Sequence, residues 1–242
     1  MKKHLSLIAA AAVLTTSANA QVFNELFPNP TGGDPANTDV ELKGTALAAF
    51  SGWVLSLEAD PGSFVGVVDR ATQVSGNFDA DGLLVVSVPD FENPSMTFVL
   101  TSDFTGTIGT TDIDPNDNGI GLDVSSLGTI FDAIGVPDSV GDEANLIGTE
   151  LGGQDFAYTG DEPQVIFRDG ATDAWFAIND PAGSDVYNIS GAAVPGTSFD
   201  VDPTVAISSI GSPNAVVVPE PGTVGLILGV CALAYSIRRR RR

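Results

Sequence analysis

Apolar residues come in short runs along this chain, with glycine, proline, asparagine and aspartate standing between them. Runs of this length bounded by turn formers read as β-strands. They predict strands at Val22–Phe27, Val40–Lys43, Gly52–Glu58, Leu83–Val88, Met96–Thr101, Ile130–Val136, Gln164–Arg168, Ala174–Ile178 and Val205–Ile210. Gly52–Glu58 alternates imperfectly and puts Trp53, Leu55 and Leu57 on one face. Leu83–Val88 is almost continuously apolar and reads as a central strand. The stretch between Gly141 and Gly160 reads as long polar connections. No long helical period and no fixed repeat interrupts this pattern. Many short strands at such spacings predict an all-β fold of two packed sheets rather than a parallel α/β sheet. From Val194 onward the chain thins into Pro, Gly, Ser and Val, so residues 194–217 read as a flexible stalk.

The two ends break the pattern. Residues 1–20 open with Lys2 and Lys3, continue through an apolar centre and close on Ala18-Asn19-Ala20. That order predicts a secretory signal peptide, delivered to the Sec translocon and cut before Gln21. At the other end, Pro219-Glu220-Pro221 precedes an uncharged run over residues 222–237, and Arg238, Arg239, Arg240, Arg241 and Arg242 follow it. A helix of that length spans roughly 24 Å at about 1.5 Å per residue. That is short against a hydrocarbon core of about 30 Å, but long arginine stems can reach outward to the head groups. The prolines set the start of the helix. The arginines supply a positive-inside signal and bind anionic lipid. The segment therefore reads as one short transmembrane helix with a basic stop.

Pro-Glu-Pro, a short apolar helix and an arginine cluster together resemble the PEP-CTERM sorting signal of Gram-negative bacteria. The resemblance implies an exosortase as partner, cleavage near Pro219-Glu220-Pro221, and an inner-membrane-anchored precursor. It implies delivery to the cell surface or the exopolysaccharide matrix. The division that follows is a signal peptide at 1–20, a β-domain at 21–193, the stalk at 194–217 and the sorting signal at 218–242.

Composition narrows the chemistry of the part between the two signals. Residues 21–218 hold three basic residues, Lys43, Arg70 and Arg168, against thirty acidic ones, which leaves that stretch at −27. Such a surface repels nucleic-acid phosphates and excludes a nucleic-acid partner. The one histidine, His4, lies in the signal peptide, and the one cysteine, Cys231, lies in the tail helix. The stretch between therefore holds no Ser-His-Asp or Cys-His site, no Cys/His zinc site and no disulfide. Carboxylate pairs of the glycosidase kind remain formally open, but with thirty acids a pair alone discriminates nothing.

Thr110–Asp123, TTDIDPNDNGIGLD, is the densest polar cluster. Asp114-Pro115-Asn116-Asp117-Asn118-Gly119 fits the first six positions of an EF-hand loop, but Ser125 stands at position twelve and no flanking helices are expected. Asp112, Asp114, Asn116, Asn118 and the carbonyl of Ile120 make a candidate calcium set. The competing reading is a loop rich in residues that tolerate left-handed backbone. Trp53 and Trp175 read as core or corner residues rather than sugar-stacking platforms, and Arg168 as half of an ion pair.

The first strands also carry an order of motifs: Val22-Phe23-Asn24-Glu25-Leu26, then Asp39-Val40-Glu41-Leu42, then Ser51-Gly52-Trp53-Val54-Leu55. Thr111–Gly119, Phe131–Val136, Arg168 and Trp175 follow. This order resembles lamin-tail-like domains, which implies an immunoglobulin-like β-sandwich, no enzymatic activity, and a turn-bracing role for Asn24 and Glu25. Lys43-Gly44 departs from that pattern. The function expected is that of a non-enzymatic surface or matrix protein, structural or adhesive in the exopolysaccharide layer. The alternatives are a calcium-dependent carbohydrate-binding module and, behind it, a carboxylate-based secreted hydrolase.

Overall fold

A computed structural model of the chain describes residues 21–30, 35–62, 65–91, 95–179, 185–205 and 208–218. The predicted signal peptide, Pro219-Glu220-Pro221, the predicted transmembrane segment over residues 222–237 and the arginine cluster lie outside the described residues. Twelve strands follow in chain order: β1 (Val22–Leu26), β2 (Asn37–Lys43), β3 (Ala49–Glu58), β4 (Val68–Asn77), β5 (Leu83–Pro89), β6 (Met96–Thr101), β7 (Ile130–Val136), β8 (Gln154–Asp155), β9 (Val165–Arg168), β10 (Trp175–Ile178), β11 (Val186–Asn188) and β12 (Ala193–Val194). The chain is all-β, and two short 3-10 turns, at Asp142–Asn145 and Gly196–Ser198, are the helical elements among the described residues.

The strands form two sheets. One has the order β12-β11-β10-β9-β1-β2-β5, the other β4-β3-β6-β7-β8. Neighbours are antiparallel except β7 and β8, which run parallel. The sheets face each other across a core that draws Phe23, Val40, Val86, Ile166 and Trp175 from the first and Phe50, Val54, Phe98, Leu100 and Ile134 from the second. Apolar side chains alternating along each strand make this a β-sandwich.

Both outer faces are covered as well. Trp53, Leu55 and Leu57 share the outer face of β3, as their spacing predicts, and Val99 and Ala133 continue it. Phe104, Ile113 and Leu127 from the long β6–β7 connection, with Ile147, lie over that face. On the other sheet Val165, Phe167, Phe176 and Ile178 point outward and are covered by Phe199, Ala215 and Val217. A strand covered on both sides has no polar face, which is why β6 is buried at every position. Its two threonines are satisfied by the covering chain: Thr97 Oγ1 accepts the Ile147 N–H at 3.1 Å, and Thr101 Oγ1 donates to the Thr129 carbonyl at 3.1 Å.

The structure departs from four expectations. Leu83–Val88 is not central: β5 is an edge strand that pairs with β2, and its exposed positions alternate with buried ones. β6 is the central strand. Val205–Ile210 forms no strand among its described residues. The stalk expected over residues 194–217 is, where described, the layer just mentioned: Phe199 bridges Val217, and Asp200 N–H donates to the Val216 carbonyl at 2.9 Å. Apolar side chains spaced among prolines and glycines lack a period, so they read as a linker while packing as a cover. The Gly141–Gly160 connection is likewise tied down, with Leu146, Ile147 and Phe156 buried.

Candidate functional site

The β6–β7 connection crosses the outer face with Ile113 wholly buried beneath it. Its polar turn follows directly. Asp112 Oδ1 accepts the Asp114 N–H at 2.9 Å, and Asp114 Oδ2 accepts the Gly119 N–H at 2.7 Å. Asn118 Oδ1 accepts the Ile120 N–H at 2.9 Å, and Asn116 Nδ2 donates to the Ile120 carbonyl at 3.0 Å. Asp117 and Gly119 take left-handed backbone, φ 51° and 68°. Asp114, Asn116, Asn118 and Ile120 are thus drawn into one turn, and Asp112 braces its entry. Asp114 is fully buried, and its Oδ1 has no hydrogen-bond partner. Burial pushes the Asp112 carboxyl up; the Asp114 N–H opposes this, and the negative charges of Asp117 and Asp114 add to it.

A second acidic group, not expected from the sequence, lies elsewhere. Asp60, Asp138 and Asp142 each bring a carboxylate oxygen within 4.8 Å of the others. Ser95 organises them: its N–H donates to Asp60 Oδ1 at 2.9 Å, its hydroxyl donates to Asp142 Oδ2 at 2.6 Å, and the same hydroxyl accepts the Asp138 N–H at 2.8 Å. Burial, with the charges of Asp138, Asp161 and Asp60, pushes the Glu162 carboxyl up to about 8. Asp138 and Asp142 lie close in sequence, but Asp60 is far from both, and in a chain this rich in aspartate the trio leaves no spacing signal.

The Asn-Glu and Val-Glu-Leu residues hold the C-terminal cover. Glu25 and Glu41 lie opposite each other across β1 and β2, both buried. Ser209 donates through its hydroxyl to Glu25 Oε2 at 2.6 Å, Gly211 N–H donates to Glu41 Oε2 at 2.6 Å, and Asn24 Nδ2 donates to Glu41 Oε1 at 2.6 Å. Asn214 Nδ2 donates to the carbonyls of Asn24 and Arg168 at 3.1 and 2.8 Å. Burial raises both glutamates, against these hydrogen bonds. Asn24 and Glu25 therefore brace the distant C-terminal segment rather than turns beside β1. A cavity of about 240 Å³ lies under that segment, lined by Glu25, Phe167, Ser209 and Asn214 among others.

Arg168 makes the ion pair expected of it, with Asp132 at 2.8 Å, and its guanidinium lies 4.3 Å from the centre of the Trp175 ring. Trp175 is buried, and Trp53 packs edge-on against Phe104. Lys43 pairs with Asp173 at 2.6 Å and Arg70 with Asp69 at 2.8 Å. Each cation of the sandwich thus already has a carboxylate.

Comparison with known proteins bears on the tail. Residues 217–242 match the family described as the PEP-CTERM protein-sorting motif. No curated protein and no solved structure matches the chain. The chain therefore carries a β-sandwich body that ends in a PEP-CTERM sorting motif, and the motif supports an exported protein processed by an exosortase. Among the described residues no helix is long and apolar enough to cross a membrane. Ala18 and Ala20, Pro219, Glu220 and Pro221, and Arg238 to Arg242 lie outside those residues.

Proposed function

We propose that this protein is a non-enzymatic module of the cell surface or extracellular matrix, structural or adhesive in the exopolysaccharide layer. The observation that carries the reading is the sorting motif at residues 217–242, which begins within the folded cover layer. Val217 still donates its N–H to Asp169 Oδ2 at 2.6 Å, and Val218 donates to the Ser198 carbonyl at 2.8 Å. The body and the signal are thus contiguous, and the signal peptide at 1–20 brings the chain to the Sec translocon. The pairing of Lys43, Arg70 and Arg168 with carboxylates supports a structural rather than a catalytic use of the charged residues. The burial of Trp175 supports the same reading.

Fractionation of cells with and without the exosortase tests this. The expected outcome is surface or matrix protein in the first strain and membrane-held precursor in the second. Equal surface amounts in the two strains would contradict it.

A further inference from the structure

The Asp112–Ile120 turn was legible as a possible calcium loop, yet the residue needed at its twelfth position is Ser125. The structure offers a replacement from a distant part of the chain. Glu150, in the β7–β8 connection, stands over Gly119: a methyl group on that glycine would meet the Glu150 carboxyl carbon at 3.9 Å. We propose that this turn and Glu150 form a calcium site. Asp114 Oδ1, Asn116, Asn118, the Ile120 carbonyl and Glu150 are the ligands, and Asp112 holds the entry.

Asp114 carries the argument. Its side chain is 0% exposed, one oxygen is used by the Gly119 N–H, and the other is buried with no partner. A buried ionised carboxylate without a counter-charge is expensive. The three cations of residues 21–218 are paired at Asp173, Asp69 and Asp132. A divalent cation at Oδ1 would supply the missing charge.

The rest of the turn fits the same ion. Calcium takes six to eight oxygens from carboxylates, amides and backbone carbonyls. The calcium loop places ligands at its first, third, fifth and seventh residues, the seventh through its carbonyl, with a glycine at the sixth. With Asp114 as the first, these are Asp114, Asn116, Asn118 and Ile120, and Gly119 is the sixth. The amide of Asn116 lies 3.0 Å from the Ile120 carbonyl through Nδ2. A half-turn of the amide presents Oδ1 beside that carbonyl, giving two oxygens toward one point. Glu150 supplies the carboxylate that the twelfth residue of a contiguous loop would bring. The site would then tie the chain covering β3, β6 and β7 to the segment after β7.

The test is calcium titration of the full chain in detergent by calorimetry, with thermal unfolding in calcium and in excess chelator. Extracellular calcium modules bind at about 10⁻⁴–10⁻³ M, so calcium chloride is taken to roughly ten times that range. The account predicts saturable binding and a higher unfolding midpoint in calcium, neither reproduced by magnesium at the same concentration, because magnesium demands a tighter octahedron. Glu150→Gln, at an exposed side chain, weakens binding about tenfold or more, Asp114→Asn abolishes it, and Asp60→Asn leaves it unchanged. Wild type that shows no heat and no shift in midpoint would overturn the site. So would binding that survives Glu150→Gln and Asp114→Asn unaltered, or binding lost in Asp60→Asn, which would place the ion at the Asp60, Asp138 and Asp142 cluster instead.

Discussion

Eight carboxylates are buried among the described residues: Glu25, Glu41, Asp90, Asp114, Asp132, Asp142, Glu162 and Asp169. Their use follows from the shape of the chain. Long connections cover both sheets, and their backbone N–H groups have no ladder to join, so they need acceptors. Asp169 shows the pattern, accepting the N–H groups of Ala171, Thr172 and Val217 and the hydroxyl of Thr172. Burial would raise its carboxyl, but the hydrogen bonds from Val217, Thr172 and Ala171 prevail and hold it below the usual range. At Glu162 burial wins and like charges reinforce it, to about 8. A carboxyl raised in the folded state binds its proton more tightly there than in the unfolded chain. Stability from that proton is complete below the ordinary value of 4.5 and is lost as pH rises toward about 8. Glu162→Gln therefore stabilises the protein at pH 9 by on the order of 2–4 kcal/mol and changes little at pH 4. Denaturant melts of both proteins at the two pH values measure this, and an equal effect at both would refute it.

The strands were legible where a run was apolar. Met96–Thr101 and Ile130–Val136 are found with the bounds their sequences suggest. β4 was not, because VDRATQVSGN holds few apolar residues: it is an edge strand whose register comes from β3, opposite it from Ala49 to Leu57. The edge position of β5 is hidden for the converse reason, since Leu83-Leu84-Val85-Val86 looks buried on both faces while Val85 is exposed at the sheet edge. The polar turn over residues 112–120 was visible from its spacing, but the unpartnered oxygen of Asp114 and the approach of Glu150 depend on tertiary packing and leave no local trace. The cover formed by residues 199–205 and 208–218 was hidden for the same reason, because buried side chains on separate strands hold it. Phe199 is its apolar anchor, stacked edge-on to Phe176 with ring centres 5.1 Å apart. Phe199→Ala removes that anchor and lowers stability by roughly 3–5 kcal/mol. Urea unfolding detects this, and a loss below about 1 kcal/mol would mean that the segment is not part of the cooperative core.

Over the whole molecule, the predicted signal peptide and the sorting motif flank a body that draws on both ends of the described chain. β1, which follows the predicted signal-peptide cut, lies between β9 and β2 in the middle of a sheet. The last described residues are hydrogen-bonded into the layer outside that same sheet. The sorting motif begins at residue 217, so no separate spacer lies between fold and signal. Removal of the tail at Pro219-Glu220-Pro221 would leave the Glu25, Glu41 and Asp169 contacts whole. A cut twenty residues earlier would strip the cover from Phe167 and Phe176. It would also leave two facing glutamates without Ser209 and Gly211. Intact-mass measurement of the protein recovered from the surface of the producing cells tests this account most directly. The predicted species starts at Gln21, ends just beyond Val218 and lacks Arg238 to Arg242. A surface form that keeps the arginine cluster, or one that ends before Ser209, would contradict it.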